Sequence, residues 1–304
     1  AALLLRFFNL SSESLWLDEG LSIRLASMTL AEINSIGLQT DHNPPLYLYL
    51  LHFWINLFGN GEFAVRSLSV LLNTACLPLL WLITKQLFNS RVAFISMLIF
   101  AFSPFQVYYG QETRSYSLLC CTSLLAILSY IYLRIKPTAL TFILTVISLT
   151  LLLYTHIYAC FTLLFLNVCF ALESDHQLKL RHWLAVQITA FIAYLPYALI
   201  LFELVLSAQQ GYWLKQPNLI HLASSLVYFT GSVWVFVLLG WGFLGGLYFY
   251  KAGGKSLVYL RRPIIFLLLW IFIPLLLPFL LSQIVSPFFL SRYAIAASPG
   301  LYIL

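Results

Sequence analysis

Long apolar runs alternate with short polar breaks along this chain, and the length of each run sets the element it predicts. A first helix ends near Phe8. Runs then cover about Ala64–Leu87, Val92–Tyr109, Ser115–Leu133, Thr138–Tyr154, Ile157–Leu172, Leu184–Leu206, Leu222–Tyr250 and Pro263–Ser282, with a last one from Tyr293 onward. A helix needs about 20 apolar residues to cross a bilayer, so these runs predict an all-α, polytopic helical bundle. One stretch breaks the series. Leu46–Phe58 is too short to span, opens after Pro44-Pro45, and carries Tyr49, His52 and Asn56 on one stripe. Proline suits a first helical turn, and the stripe predicts a helix lying along the membrane surface. Before it, Leu21, Leu25 and Met28 share the apolar face of a second short helix, and Thr29-Leu30-Ala31-Glu32 has the form of a capping box.

Composition agrees with the pattern: 62% of residues are hydrophobic and 9% are charged, against about 25% charged in soluble domains. The chain is read as one transmembrane domain over 1–304, a piece of a longer protein with both terminal helices cut. The net charge of +6 comes from scattered basic residues rather than a stripe, so no nucleic-acid partner is expected. The five cysteines lie inside apolar runs without a C-x-x-C, which argues against a thiolate metal site or a disulfide framework.

Charge placement changes the picture most. Lys85, Arg91, Arg134, Lys136, Lys179, Arg181, Lys251, Lys255, Arg261 and Arg262 occupy alternate breaks, which the positive-inside rule places in the cytoplasm. The opposite breaks hold Glu13, Asp18, Glu19, Glu32, Asp41, Glu62 and Glu112. This alternation requires Leu46–Phe58 not to cross. It predicts a multi-pass protein of the inner or plasma membrane with most of its acids on the outer face, Glu173 and Asp175 alone sitting clearly with the basic side.

Carboxylates close to lipid are costly and mark functional sites. The outer breaks supply Asp18, Glu19, Asp41, His42, Glu112, Arg114, His156, Lys215, Arg292 and Tyr293. Carboxylates and imidazoles can hold a divalent metal cation, one acid can serve as a base, and arginines can pair with phosphate. Together they suggest group transfer from a lipid phosphate to a hydroxyl. Each residue also has a plain structural reading. Asp18 could cap a helix beginning at Glu19, and Glu112 with Arg114 could form a loop ion pair. His156 could be an interfacial polar residue, Arg292 could snorkel, and Lys215 could belong to an interfacial belt beside Tyr212-Trp213. Arg66 is expected to brace its helix through Glu62, four residues earlier.

Leu15-Trp16-Leu17-Asp18-Glu19 after a first helix resembles the motif of GT-C glycosyltransferases. So do Asp41-His42-Asn43-Pro44-Pro45-Leu46-Tyr47, Gly61-Glu62-Phe63-Ala64-Val65-Arg66, Tyr109-Gly110-Gln111-Glu112-Thr113-Arg114, Tyr154-Thr155-His156 and Arg292-Tyr293. The set is similar to the bacterial branch related to protein O-mannosyltransferases and to the aminoarabinose transferases that modify lipid A. The resemblance implies a mannosyltransferase-like enzyme of cell-envelope or lipopolysaccharide glycan synthesis. Its donor would be a polyprenyl-phosphate-linked hexose or pentose, and transfer to an unknown hydroxyl acceptor would proceed with inversion. Asp18 and Glu112 would be the catalytic acids. Asp18, Glu19, Glu112 and His156 would surround a divalent metal. Arg114, Arg292, Tyr293 and Lys215 would hold the donor phosphate, and Asp41 and His42 would meet substrate. Relatives often carry His-Pro-Pro where this chain has His42-Asn43-Pro44-Pro45. The rival readings are a polytopic transporter or lipid flippase and a non-catalytic subunit of the same fold. Polar groups crowded on one surface without a visible half-repeat weigh against the first, and retention of both loop acids weighs against the second.

Overall fold

A computed structural model describes residues 1–41, 43–172, 178–207, 215–252, 258–285 and 287–304. Every regular element among them is helical: α1 (Ala2–Phe7), α2 (Leu17–Ala26), α3 (Leu30–Glu32), a π-helical turn (Ile33–Gly37), α4 (Leu38–Asp41), α5 (Leu46–Phe58), α6 (Glu62–Leu87), α7 (Ser90–Phe102), α8 (Pro104–Gly110), α9 (Tyr116–Ile135), α10 (Ala139–Leu153), α11 (Ala159–Leu172), α12 (Leu180–Ser207), α13 (Leu219–Thr230), α14 (Val233–Ala252), α15 (Val258–Ile284), a 3₁₀ segment (Ser291–Ala297) and α16 (Ser298–Ile303). Among the described residues, four helices are long and apolar enough to cross a membrane, or six if each of two bent pairs is one span. Exposed Ile188, Ile192, Trp234, Leu238 and Trp241 on α12 and α14 would be costly in water but not against lipid. This is a multi-pass membrane protein.

Two predicted runs come out shorter. Helices α10 and α11 have 15 and 14 residues, below the length of an upright span. Two others are broken, at Ser103 and at Gly231. The second break has a clear cause: Gly231 adopts φ +76°, where a side chain is disfavoured, and α13 and α14 meet there at 81°.

The chain forms two compact units, each assembled from separate stretches. The first comprises Ala1–Leu79, Val107–Cys160 and Ser174–Gly211. Its centre is α9, nearly all of whose residues are buried, as expected of a helix apolar on every side. Helix α10 packs on α9 and on α12, and Trp183 meets Tyr130 edge-on at 5.2 Å.

Helix α5 keeps the predicted bounds. It begins after Pro45 and stops at Gly59, which takes φ +84°. Thirteen residues reach only about 20 Å, short of a hydrocarbon core of about 30 Å. Of its polar stripe, His52 turns toward α2, its Nδ1 bonding the Ala26 carbonyl at 2.8 Å; Tyr49 donates to Asn34, and exposed Asn56 bonds His52 within the helix. Phe53, Leu57 and Phe58 remain exposed. Leu25, Ile33 and Leu48 form a buried cluster with Leu21 and Met28 against it, and the Thr29–Glu32 capping box forms as expected.

The second unit comprises Leu80–Gln106, Phe161–Glu173 and Tyr212–Leu304. Buried polar groups pin its broken helices. Ser103 and Tyr302 both donate to the Phe229 carbonyl, at 3.2 and 2.7 Å, and Gln106 donates to Ser298 at 2.7 Å. Trp270 donates to the Ala296 carbonyl at 2.7 Å, holding the 3₁₀ segment against α15.

Candidate active site

The first-loop acids sit in the opening turn of α2. That helix begins at Leu17 with Trp16 in the cap position, so Asp18 is not the cap that sequence allowed. Glu19 is 1% exposed. Arg66 donates to its Oε1 from Nε at 3.0 Å and to Oε2 from a terminal nitrogen at 2.7 Å. The main-chain N–H of Thr113 adds a bond to Oε1 at 2.9 Å, and that of Trp16 one to Oε2 at 3.4 Å. Burial by itself would raise the Glu19 pKa. The bonds from Arg66 and Thr113, with the Arg66 charge, outweigh it and hold the carboxyl below its ordinary value.

Arg66 also donates to the carbonyls of Leu10, Glu13 and Ser14 at 2.9, 2.7 and 3.3 Å. Its ion-pair partner is therefore Glu19, 47 residues away, and not Glu62. The reason is geometric. A buried carboxylate faces the guanidinium edge-on, and the loop carbonyls take its remaining donors.

The second loop folds tightly over α2. Arg114 N–H donates to the Glu112 carbonyl at 2.8 Å, and Glu112, Thr113 and Arg114 are all buried. Arg114 does not pair with Glu112. Its guanidinium donates to Ser22 Oγ at 3.0 Å and to Asp41 Oδ1 at 3.1 Å, while Ser22 Oγ donates to the Asp18 carbonyl at 3.0 Å. Burial opposes the Arg114 charge, but Asp41, Tyr116 and Asp18 together raise its pKa. Asp18 and Glu112 are thus each one residue from the Glu19–Thr113 bond. Tyr47, hydrogen-bonded to Ser69, feels the charges of Arg114, Glu19 and Glu112 at once.

His156 lies in the break between α10 and α11 and is 1% exposed. Burial, then the Arg114 charge, push its pKa down to about 3. Its Nδ1 accepts from the Tyr158 N–H at 3.1 Å, so the neutral ring carries its proton on Nε2. In that state it donates and has no lone pair to offer a cation.

The first unit therefore gathers Asp18, Glu19, Asp41, Glu112, Arg114 and His156. Arg292, Tyr293 and Lys215 belong to the second unit. There the Arg292 guanidinium lies 5.7 Å from the Tyr293 ring centroid, and Lys215 is exposed. His42 lies outside the described residues. Arg66 as partner of Glu19, Ser22 as support for Arg114, and Tyr47 among the charges were not anticipated. Arg66 stood in a quoted motif, but nothing local named its partner.

Among the described residues, no three or more His, Cys, Asp or Glu side chains come together to hold a metal ion. Glu19 is committed to Arg66 and Thr113, and Nδ1 of His156 is taken by the Tyr158 N–H. Asp18 and Glu112 lie on the two segments that the Thr113–Glu19 bond joins. A hard divalent ion such as magnesium needs only one or two carboxylates and completes its shell from phosphate and water.

The helical architecture is that of GT-C membrane glycosyltransferases. ArnT from Cupriavidus metallidurans, in its apo state and with undecaprenyl phosphate bound, superposes with a TM-score of 0.70 at 17% identity. The match covers 99% of this chain and 57% of ArnT. The apo oligosaccharyltransferase of Archaeoglobus fulgidus matches with a TM-score of 0.59 at 12% identity, over 99% of this chain and 49% of that one. The chain thus spans a little over half the length of ArnT. No curated protein matches it. Residues 42–202, more than half of the sequence, match the dolichyl-phosphate-mannose-protein mannosyltransferase family, and the chain belongs to that family. Its members form a group of glycosyltransferases that use polyprenyl-phosphate sugars.

Proposed function

We propose that the protein transfers a hexosyl or pentosyl group from a polyprenyl-phosphate donor to a hydroxyl of a glycolipid, polysaccharide or protein, at the outer face of the cell membrane. The observation that carries this reading is the Thr113–Glu19 bond. It ties the helix that carries Asp18 to the loop that carries Glu112, in a chain of this family. Undecaprenyl phosphate bound to ArnT, a protein of the same fold, supports a polyprenyl-phosphate donor. Segregation of acids from the basic breaks supports the outer face.

In this reading the acceptor oxygen attacks the anomeric carbon, and the bond from that carbon to the phosphate oxygen breaks. Asp18 takes the hydroxyl proton and polyprenyl phosphate departs. A single displacement inverts the anomeric centre. Arg292, with Tyr293 and Lys215, takes up the phosphate charge as it develops. Glu112 orients the acceptor or shares a cation with Asp18. A divalent cation, where bound, supplies further positive charge toward the leaving phosphate, and Asp18 and Glu112 are the residues that would hold it. Glu19 acts as a positioning residue, fixing the second loop on α2.

Membranes containing the protein, incubated with radiolabelled polyprenyl-phosphate sugars with and without chelator, test the reading. Label should pass to a membrane or protein acceptor from at least one donor. No transfer from any donor above control membranes would overturn the proposal.

A further inference from the structure

Glu112 is anchored through both of its neighbours. On one side the Thr113 N–H donates to Glu19 Oε1 at 2.9 Å. On the other, Nε2 of Gln111 donates to the carbonyls of Arg6 and Phe8 at 3.0 and 2.9 Å, 105 and 103 residues away. A side-chain amide nitrogen carries two hydrogens, so both are used.

Those carbonyls lie where α1 ends. Arg6 is in the last turn of the helix and Phe8 is its C-cap, and Asn9 turns the chain away at φ +54°. The last carbonyls of a helix have no partner within it, and the Gln111 amide fills that need. Helix α1 is itself held in the unit. Arg6, 0% exposed, donates from Nε to Asn73 Oδ1 of α6 at 2.7 Å. Gly110, the residue before Gln111, lies so close to Asn73 that an added Cβ would sit 3.2 Å from its Cγ. The end of α1, the middle of α6 and the start of the second loop therefore meet one residue before Glu112. Gln111 is only half-buried, so its exchange leaves no large cavity, while a shift of its backbone passes to Glu112 across a single peptide.

We propose that Gln111 is a positioning residue for the transfer reaction: its two bonds to the end of α1 hold the backbone from which Glu112 works. This rests on the transferase reading above and goes beyond it, because it gives the second-loop acid a support separate from the Glu19–Arg66 pair.

Three substitutions separate this role from its rivals. Gln111→Glu keeps the size but sets carboxylate oxygens against two carbonyl oxygens. Gln111→Met removes the donors without adding charge. Gln111→Lys restores donors, since an ammonium carries three. Each is compared with wild type for melting temperature in detergent. In membranes, kcat and donor KM are measured with the radiolabelled polyprenyl-phosphate sugar that wild type transfers fastest. For Gln111→Glu and Gln111→Met, kcat should fall about 10–100-fold at unchanged donor KM, the scale of a misplaced reacting group. Gln111→Lys should keep most of the wild-type kcat. Wild-type kcat in the first two variants overturns the inference, and so does Gln111→Lys as slow as they are. A raised donor KM with kcat intact overturns it by making Gln111 a donor contact. A lower melting temperature with kcat unchanged reduces Gln111 to a helix cap and overturns it as well. In all these cases the transferase reading stands. If folded wild type transfers no sugar from any donor, both fall together.

Discussion

The main-chain N–H of Thr113 donates to Oε1 of Glu19 at 2.9 Å, across 94 residues of sequence. This bond joins the opening turn of α2 to the loop before α9. It fixes the backbone on which the two acids of the proposed reaction stand, and Arg66 on the far side of Glu19 keeps that carboxylate in place.

Breaking the Glu19–Arg66 pair should therefore loosen the whole outer region. Both side chains are buried, and removing one partner of a buried pair costs about 3–5 kcal/mol. Arg66→Ala is expected to lower the melting temperature strongly in detergent. Arg66→Lys should recover little of it, because an ammonium cannot reproduce the two-point contact. Glu62→Gln should leave the melting temperature near wild type. If Glu62→Gln proves as damaging as Glu19→Gln, the assigned partner is wrong.

The long apolar helices, the bounds of α5 and the Thr29–Glu32 cap were legible in the sequence because each depends on local pattern. Run length, Pro44-Pro45 and the S/T-x-x-E spacing carry those signals. The bends at Ser103 and Gly231 were not, since an apolar run looks the same straight or broken. Proline did not mark them reliably either: Pro78, Pro196 and Pro274 lie inside continuous helices. Within the site, the sequence pointed to Glu19 and Arg114 as chemically interesting. It could not show that Arg66 and Asp41 are their partners, 47 and 73 residues away. Nearby charges invite i,i+4 pairing on paper, while tertiary packing decides which charges meet.

His156 gives the protein a built-in sensitivity to acid. Its pKa falls from about 6.5 in the unfolded chain to about 3 in the fold, so the folded state resists protonation. The neutral ring's contribution is fully present above pH 6.5 and is lost as pH falls toward 3. At pH 5 the loss amounts to ~2 kcal/mol. Melting temperatures from pH 7.5 to 5 should drop more steeply for wild type than for His156→Asn. Parallel slopes would contradict the buried neutral ring.

Gly231 sets the bend between α13 and α14. A Cβ there would lie 2.7 Å from Cγ of Pro104, on a backbone with φ +76°. Gly231→Ala should destabilise by at least about 1–2 kcal/mol from backbone strain alone, because the proline ring is too rigid to move aside. Gly240→Ala, where an added Cβ meets nothing within 4 Å, serves as the control and should melt like wild type. An unchanged Gly231→Ala would mean that the bend is not needed.

Asp18 is asked to take the acceptor's proton, and Asp18→Asn removes that capacity while leaving the Glu19–Thr113 bond intact. The decisive measurement is the transfer rate of this variant beside its melting temperature and its affinity for the glycosylated phospholipid. The rate should fall about 10²–10⁴-fold, with stability unchanged and donor binding, measured in chelator, unchanged. Transfer at the wild-type rate by the folded variant would contradict the account at its centre.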